Sequence, residues 1–214
     1  MDLVERARRD VVIANRILAH QKVLDAYGHV SLRHPHDPGK YLLARSCSPG
    51  MVRVEDVVEF WLDGRPTSPE TRPLYMERYI HGAVYEKRPD VKAVLHSHAE
   101  DVLPFAISKT TRLRPVIQAV GDMGHDVPVW DIADNFGDDT NLLVLNMEQG
   151  RDLANCLACN RMALMRGLAA ALPGVDVQGT TVTITGLGGQ LKHHDAIEFF
   201  MGNAGTAMRP LTAA

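Results

Sequence analysis

The run Lys92–His98, KAVLHSH, ends in two histidines separated by one residue. Its apolar and β-branched character reads as a strand. Residues i and i+2 of a strand share a face. His96 and His98 would therefore project together, roughly 6–7 Å apart along the chain. Two imidazoles so placed can chelate one metal ion, which constrains both the conformation of this segment and the face it presents. Nineteen residues before His96 lies Glu77, within LYMERYIHG, a stretch of helical spacing. A carboxylate beside a metal can pass a proton to and from a substrate. On residues alone a second reading stands beside this one: surface histidines also fall at this spacing, and Glu77 also suits a solvated helix face.

The rest of the chain alternates between the two periodicities. Residues 3–26 carry Val4, Ala7, Val11, Ile13, Ala14, Ile17 and Leu18 at helical spacing, and Gly28 ends that helix. GHVSLRHP gives a short strand, His36, Asp37, Pro38 and Gly39 a turn, and KYLLARS the partner strand. Cys47 to Gly50 reads as a loop, 54–62 as a short strand or helix, and Asp63-Gly64 as a turn. Leu74 to Lys87 reads as a helix that stops before Arg88-Pro89, where proline disfavours continuation. A further helix is expected near Glu100, strands at 127–132, 141–146 and 180–185, and a helix over 148–166. Such alternation indicates an α/β or α+β class.

Composition narrows the function classes. A net charge of −3 offers no basic field for nucleic acid or anionic lipid. No stretch approaches the roughly 18 apolar residues of a membrane span. The first twenty residues carry charges throughout, so no secretory leader is expected. The three cysteines, Cys47, Cys156 and Cys159, cannot build a disulfide framework, and they fit a reducing, cytoplasmic setting. Cys156-x-x-Cys159 is read as part of a core-facing helix. Residues 168–214 hold five charged side chains against 44 in the first 167. That shift marks a divergent C-terminal part, from about 168, of what is expected to be a single domain over 1–214.

The string E-x₃-H-x₃-Y-x₂-R-P-D-V-x-A-V-x-H-x-H is spelled by Glu77, His81, Tyr85, Arg88, Pro89, Asp90, Val91, Ala93, Val94, His96 and His98. With the upstream GHVSLRHP (28–35), it resembles the class II aldolase/adducin family. The resemblance runs from about residue 5 to residue 167. It implies an α/β/α three-layer sandwich around a largely antiparallel sheet, and a homotetramer with sites at subunit interfaces. It implies a divalent metal, commonly zinc and in some members manganese. His96 and His98 would be two of three histidine ligands, and Glu77 the catalytic acid/base. A metal-stabilised enolate would then serve carbon–carbon cleavage.

Within the family, the sugar-phosphate aldolases place two serines before the glutamate, where this chain has Tyr75 and Met76. His29 stands where they have asparagine. YLLARSCSP (41–49) and RPLYMERYIHGAVY are most similar to members that decarboxylate hydroxylated aromatic or pyridine dicarboxylic acids. Arg45, Ser46 and Ser48 would then receive the anionic group of a small-molecule substrate, although a plain surface turn is an equal reading of that loop. His29, Ser31 and Arg33 alternate along one strand and would face one side. His81, one helical turn after Glu77, would line the same pocket.

One departure stands out. The resemblance implies a third ligand within an R-G-H-G segment, but Arg166-Gly167 is followed here by Leu168-Ala169 where His-Gly is expected. A second alignment places Gln178 at that position. Neither supplies an imidazole. His193 and His194 lie on a segment read as a C-terminal helix, and IEFFMGNAGTAM (197–208) resembles the family's closing helix. Three functional expectations follow: a decarboxylase of a small hydroxylated aromatic acid, an aldolase for a small non-phosphorylated hydroxy-carbonyl compound, or a non-catalytic member of the family.

Overall fold

A computed structural model describes residues 2–137 and 143–166, and the backbone of 175–178 and 181–184. The chain forms two compact units, one of residues 1–99 and 144–158, the other of 100–143 and 159–214.

The first unit opens with α1 (Leu3–His20), which buries Val11, Val12 and Asn15. The predicted helix over 3–26 stops early, because Lys22 takes a left-handed backbone, φ 58°. Gln21 and Lys22 turn back onto the carbonyls of Ile17 and Ala19. Next come β1 (His29–Arg33), β2 (Lys40–Ala44) and β3 (Val57–Trp61). A 3-10 turn over Val54–Asp56 precedes β3, so the ambiguous 54–62 stretch is part turn and part strand. After α2 (Arg78–Lys87), β4 (Ala93–His96) completes an antiparallel sheet of order β3-β2-β1-β4.

Register decides what each face carries. Ser31 pairs with Leu43 and Val94, Arg33 with Tyr41, and His29 with His96. These side chains share one face, which receives α2. α1 packs against β1, β2 and β3, leaving Leu32 and Leu42 to its side of the sheet. Helices on both sides of an antiparallel sheet give the expected α/β architecture. The core joins Tyr41, Leu43, Phe60, Val84 and Tyr85 around the sheet. Arg33 anchors the C-terminal end of α2 by donating to the carbonyls of Tyr85, Arg88, Val91 and Pro38.

Two glycines let the layers close. A Cβ on Gly82 would meet the Leu62 carbonyl oxygen at 2.0 Å. One on Gly150 would meet the Tyr79 carbonyl oxygen at 2.7 Å, where α5 (Met147–Leu157) packs on α2.

The second unit contains α3 (Leu103–Ile107), β5 (Val129–Asp131), α4 (Ala133–Phe136) and β6 (Leu164–Arg166). β5 and β6 pair in parallel. Ala106, Val127 and Leu164 form its small core, and Arg166 donates to the carbonyls of Ala106 and Ser108 at 2.7 Å each. β7 (Val175–Gln178) and β8 (Thr181–Ile184) form an antiparallel pair.

Three sequence expectations need correction. The helix expected over 148–166 ends at Leu157, because Ala158 adopts φ 48° and the chain then turns to β6. Cys159 is therefore beyond the helix and exposed. Residues 143–146 of the expected 141–146 strand are not strand; buried Leu143 and Val144 explain their apolar character without it. Finally, the helix expected from Leu74 begins at Arg78, with Glu77 at its N-cap. Leu168-Ala169, His193, His194 and the 197–208 segment lie outside the described residues, and of Gln178 only the backbone is described.

Candidate metal centre

The site is built in the first unit where β4 ends. His96 is the last residue of the strand, and His98 follows two residues on. Their Nε2 atoms are 3.0 Å apart, with the rings nearly perpendicular. Glu77, at the N-cap of α2, brings Oε2 to 3.3 Å from His96 Nε2. Glu77, His96 and His98 thus offer three ligand atoms within 4.8 Å of one another.

The donor set fits a small divalent cation. Two ligand atoms about 2.0–2.1 Å from a tetrahedral ion stand about 3.3 Å apart, close to the 3.0 and 3.3 Å found here. His96 Nε2 faces two acceptors, the Glu77 carboxylate and His98 Nε2. A proton satisfies one of them at a time, whereas a cation would engage all three groups. Two imidazoles and a carboxylate suit zinc, and also manganese or iron.

Electrostatics couple the groups to one another. Burial alone would raise the Glu77 carboxyl, but His96 outweighs it and holds the acid below its ordinary range. Burial lowers His96, and the Glu77 carboxylate reverses that and raises it. Asp25 supports His98 from behind, with Oδ2 3.1 Å from His98 Nδ1. Burial pushes Asp25 up, yet hydrogen bonds from His98 and from the Tyr27 and Gly28 amides draw it down to about 2. An ionised carboxylate only accepts, so His98 donates from Nδ1 and keeps the Nε2 lone pair for a metal.

Behind the ligands lies a buried row. His29 Nδ1 is 2.7 Å from His81 Nε2, His81 Nδ1 is 2.7 Å from Ser31 Oγ, and Ser31 Oγ is 2.8 Å from the Tyr85 hydroxyl. Ser31 and His81 are fully buried and His29 is 1% exposed. Burial, the main cause, holds both imidazoles neutral, with His81 pushed down to about 3 and His29 well below its usual range. The His29 ring lies 4.2 Å from Tyr75 and 5.1 Å from His96.

Of the remaining sequence candidates, Tyr75 reaches this centre through the His29 ring. Tyr75 donates its hydroxyl to the Cys47 carbonyl, joining the 45–48 loop to the His29 side. Ser46 and Ser48 make backbone bonds to Pro73 and Met51. Arg45 commits Nε to the Asp56 carboxylate at 2.7 Å. Sequence reasoning missed Asp25 and the role of Tyr85. The spacing of Glu77, His81 and Tyr85 by four puts them on one helical face, a signal that was available. Asp25 gave only a local one, an Asp placed to accept amides two and three residues on.

An antiparallel sheet flanked by helices, with two histidines and a carboxylate converging at the end of its last strand, defines an α/β protein with a candidate metal-assisted acid/base site. The chain belongs to the class II aldolase/adducin family: residues 9–185 match the domain described as Class II Aldolase and Adducin N-terminal domain. It is 36% identical over 171 residues to decarboxylase tropJ of Talaromyces stipitatus, covering 74% of this chain and 64% of that protein. It is 26% identical to 3,4-dihydroxyphthalate decarboxylase of Arthrobacter keyseri, covering 87% and 82%. An aldolase II superfamily protein from Pseudomonas syringae shares the fold, with TM-score 0.63, 21% identity and 78% and 64% coverage. The chain thus spans a little under two thirds of the length of tropJ. A 35-residue stretch is 60% identical to 3-phosphoshikimate 1-carboxyvinyltransferase of Photorhabdus laumondii, covering 16% of this chain and 8% of that protein. The family match stops at 185, so the expected family likeness of 197–208 falls beyond it. Among the described residues no helix is long and apolar enough to cross a membrane.

Proposed function

We propose that this chain is a metal-dependent carbon–carbon lyase that decarboxylates a small hydroxylated aromatic acid. The convergence of Glu77, His96 and His98 carries the reading. Its support from relatives is the likeness to two proteins named as decarboxylases. His96 and His98 would hold the ion through Nε2, with Glu77 beside them. A divalent cation there would act as a Lewis acid toward negative charge developing on a substrate oxygen.

The protein's own groups do the rest. Glu77 takes the proton of the substrate hydroxyl and delivers it from Oε2 to the ring carbon that bears the carboxylate, leaving a ring ketone. The bond from that carbon to the carboxylate then breaks, carbon dioxide leaves, and the electron pair restores the aromatic ring with the negative charge on the former hydroxyl oxygen, which takes a proton from water. Tyr75 offers a flat wall where a sugar phosphate would need polar contacts. His29 and the loop of Arg45, Ser46 and Ser48 hold the anionic end. Zinc is the preferred ion, manganese the second, in a cytoplasmic homotetramer.

A non-catalytic role is the second reading, favoured by leucine and alanine at the position expected to supply a third imidazole. Metal quantification on the purified protein and its His96→Ala variant separates the two. Near-stoichiometric zinc or manganese that disappears in the variant, with carbon dioxide release from a hydroxylated aromatic acid, supports the lyase. A protein that takes up neither metal at micromolar supply is the non-catalytic member.

A further inference from the structure

His29 is a third imidazole within ring-contact distance of the metal centre, 5.1 Å from His96. With the expected third histidine missing, it is the obvious substitute ligand. Proton placement along the buried row decides otherwise. The Tyr85 hydroxyl is 2.8 Å from Ser31 Oγ, and Ser31 Oγ is 2.7 Å from His81 Nδ1. Ser31 Oγ meets these two side chains, and the Tyr85 hydroxyl also meets the Val94 backbone amide, a donor that offers its proton no acceptor. Both side chains are buried, so a proton with no acceptor would cost about 1–3 kcal/mol.

One polarity gives the protons of Tyr85, Ser31 and His81 an acceptor each. Tyr85 donates to Ser31, and Ser31 donates to His81 Nδ1. His81 therefore carries its proton on Nε2 and donates to His29 Nδ1, 2.7 Å away. His29 is left with its own proton on Nε2. Reversing the row, so that His81 Nδ1 donates to Ser31, strands the Tyr85 proton. Letting Ser31 accept from both neighbours strands its own. A nitrogen that bears a proton has no lone pair for a metal, and Nδ1 of His29 is already accepting.

We propose that Tyr85, Ser31 and His81 form a positioning chain that fixes His29 as its Nε2–H tautomer, making His29 a hydrogen-bond donor to an anionic substrate oxygen and not a metal ligand. The inference deepens the lyase reading by giving the substrate class a contact: a carboxylate or phenolate oxygen beside the ion. The buried, neutral state of both imidazoles agrees with it, since a neutral ring holds one proton in one place.

Long-range proton–nitrogen correlation spectra of the full chain labelled with ¹⁵N-histidine, assigned with the His29→Asn and His81→Gln variants, test it. Both rings are expected to carry the proton on Nε2 at neutral pH. A proton on Nδ1 of either ring overturns the proposal. Ser31→Ala should release His29 into a mixture of tautomers, while Ser31→Thr, which keeps the hydroxyl, should restore one. An unchanged single tautomer in a folded Ser31→Ala protein also overturns it. Zinc titration adds an independent readout: His29→Asn should leave the affinity within about twofold, and a loss of about tenfold or more would mark His29 as a ligand. If the native chain binds no zinc, the lyase reading fails while the tautomer measurement still decides this proposal.

Discussion

Glu77 Oε2 stands 3.3 Å from His96 Nε2, joining the start of α2 to the end of β4. Each shifts the other toward its charged form, against the effect of burial. Glu77→Gln keeps the shape and removes the acid. It should lower turnover by about 10²–10⁴-fold, measured as carbon dioxide release, with an unchanged circular dichroism spectrum.

Asp25 orients His98 from outside the ligand set. Asp25→Asn removes the charge that fixes the His98 ring and its tautomer. Zinc affinity should fall by about 10–100-fold, measured by competition with a chelator. An unchanged affinity would mean that Asp25 plays no part in metal binding.

Gly82 lies where a Cβ would press to 2.0 Å on the Leu62 carbonyl oxygen, whereas nothing stands within 4 Å of a Cβ on Gly121. Gly82→Ala should destabilise the protein by about 1–3 kcal/mol or more. Gly121→Ala should change stability by about 0.5 kcal/mol or less. Urea unfolding of the two variants side by side makes the comparison.

Asp56 is buried and accepts from Arg45 and from the Arg53 amide. Burial raises its carboxyl, but these partners outweigh burial and the folded state holds it below its ordinary value. The unfolded chain therefore binds the proton first as pH falls. The stabilising contribution is whole above the unfolded value of about 3.9 and disappears as pH drops through the lower folded value. Asp56→Asn should cost stability at pH 6 and flatten its decline between pH 6 and 3, followed by urea unfolding.

Much of the site was legible because it follows short periodicities. His96 and His98 lie two residues apart and come together although β4 ends at His96, and Glu77, His81 and Tyr85 share a face by helical spacing. The β1–β2 hairpin showed in its Asp37-Pro38-Gly39 turn. Contacts between distant segments left no such trace. β6 pairs with β5 across more than thirty residues, so Leu164–Arg166 looked like more of the preceding helix. Buried Val144 made a strand-like run of a segment that is not strand. Glu77 read as a mid-helix residue because apolar spacing starts at Leu74, while the backbone begins to coil only at Arg78. Ser31 and His81 read as residues facing a substrate, since spacing gives the face of a side chain but not its depth.

β4 is four residues long and, among the described strands, has a partner on one side only, β1. Edge strands of that length are the first parts of a sheet to fray. Yet its final residue is gripped by Glu77 from α2, and the adjoining His98 by Asp25 from the segment after α1. The candidate metal centre is therefore also a clasp on one margin of the sheet, joining β4 to α2 and to the segment after α1.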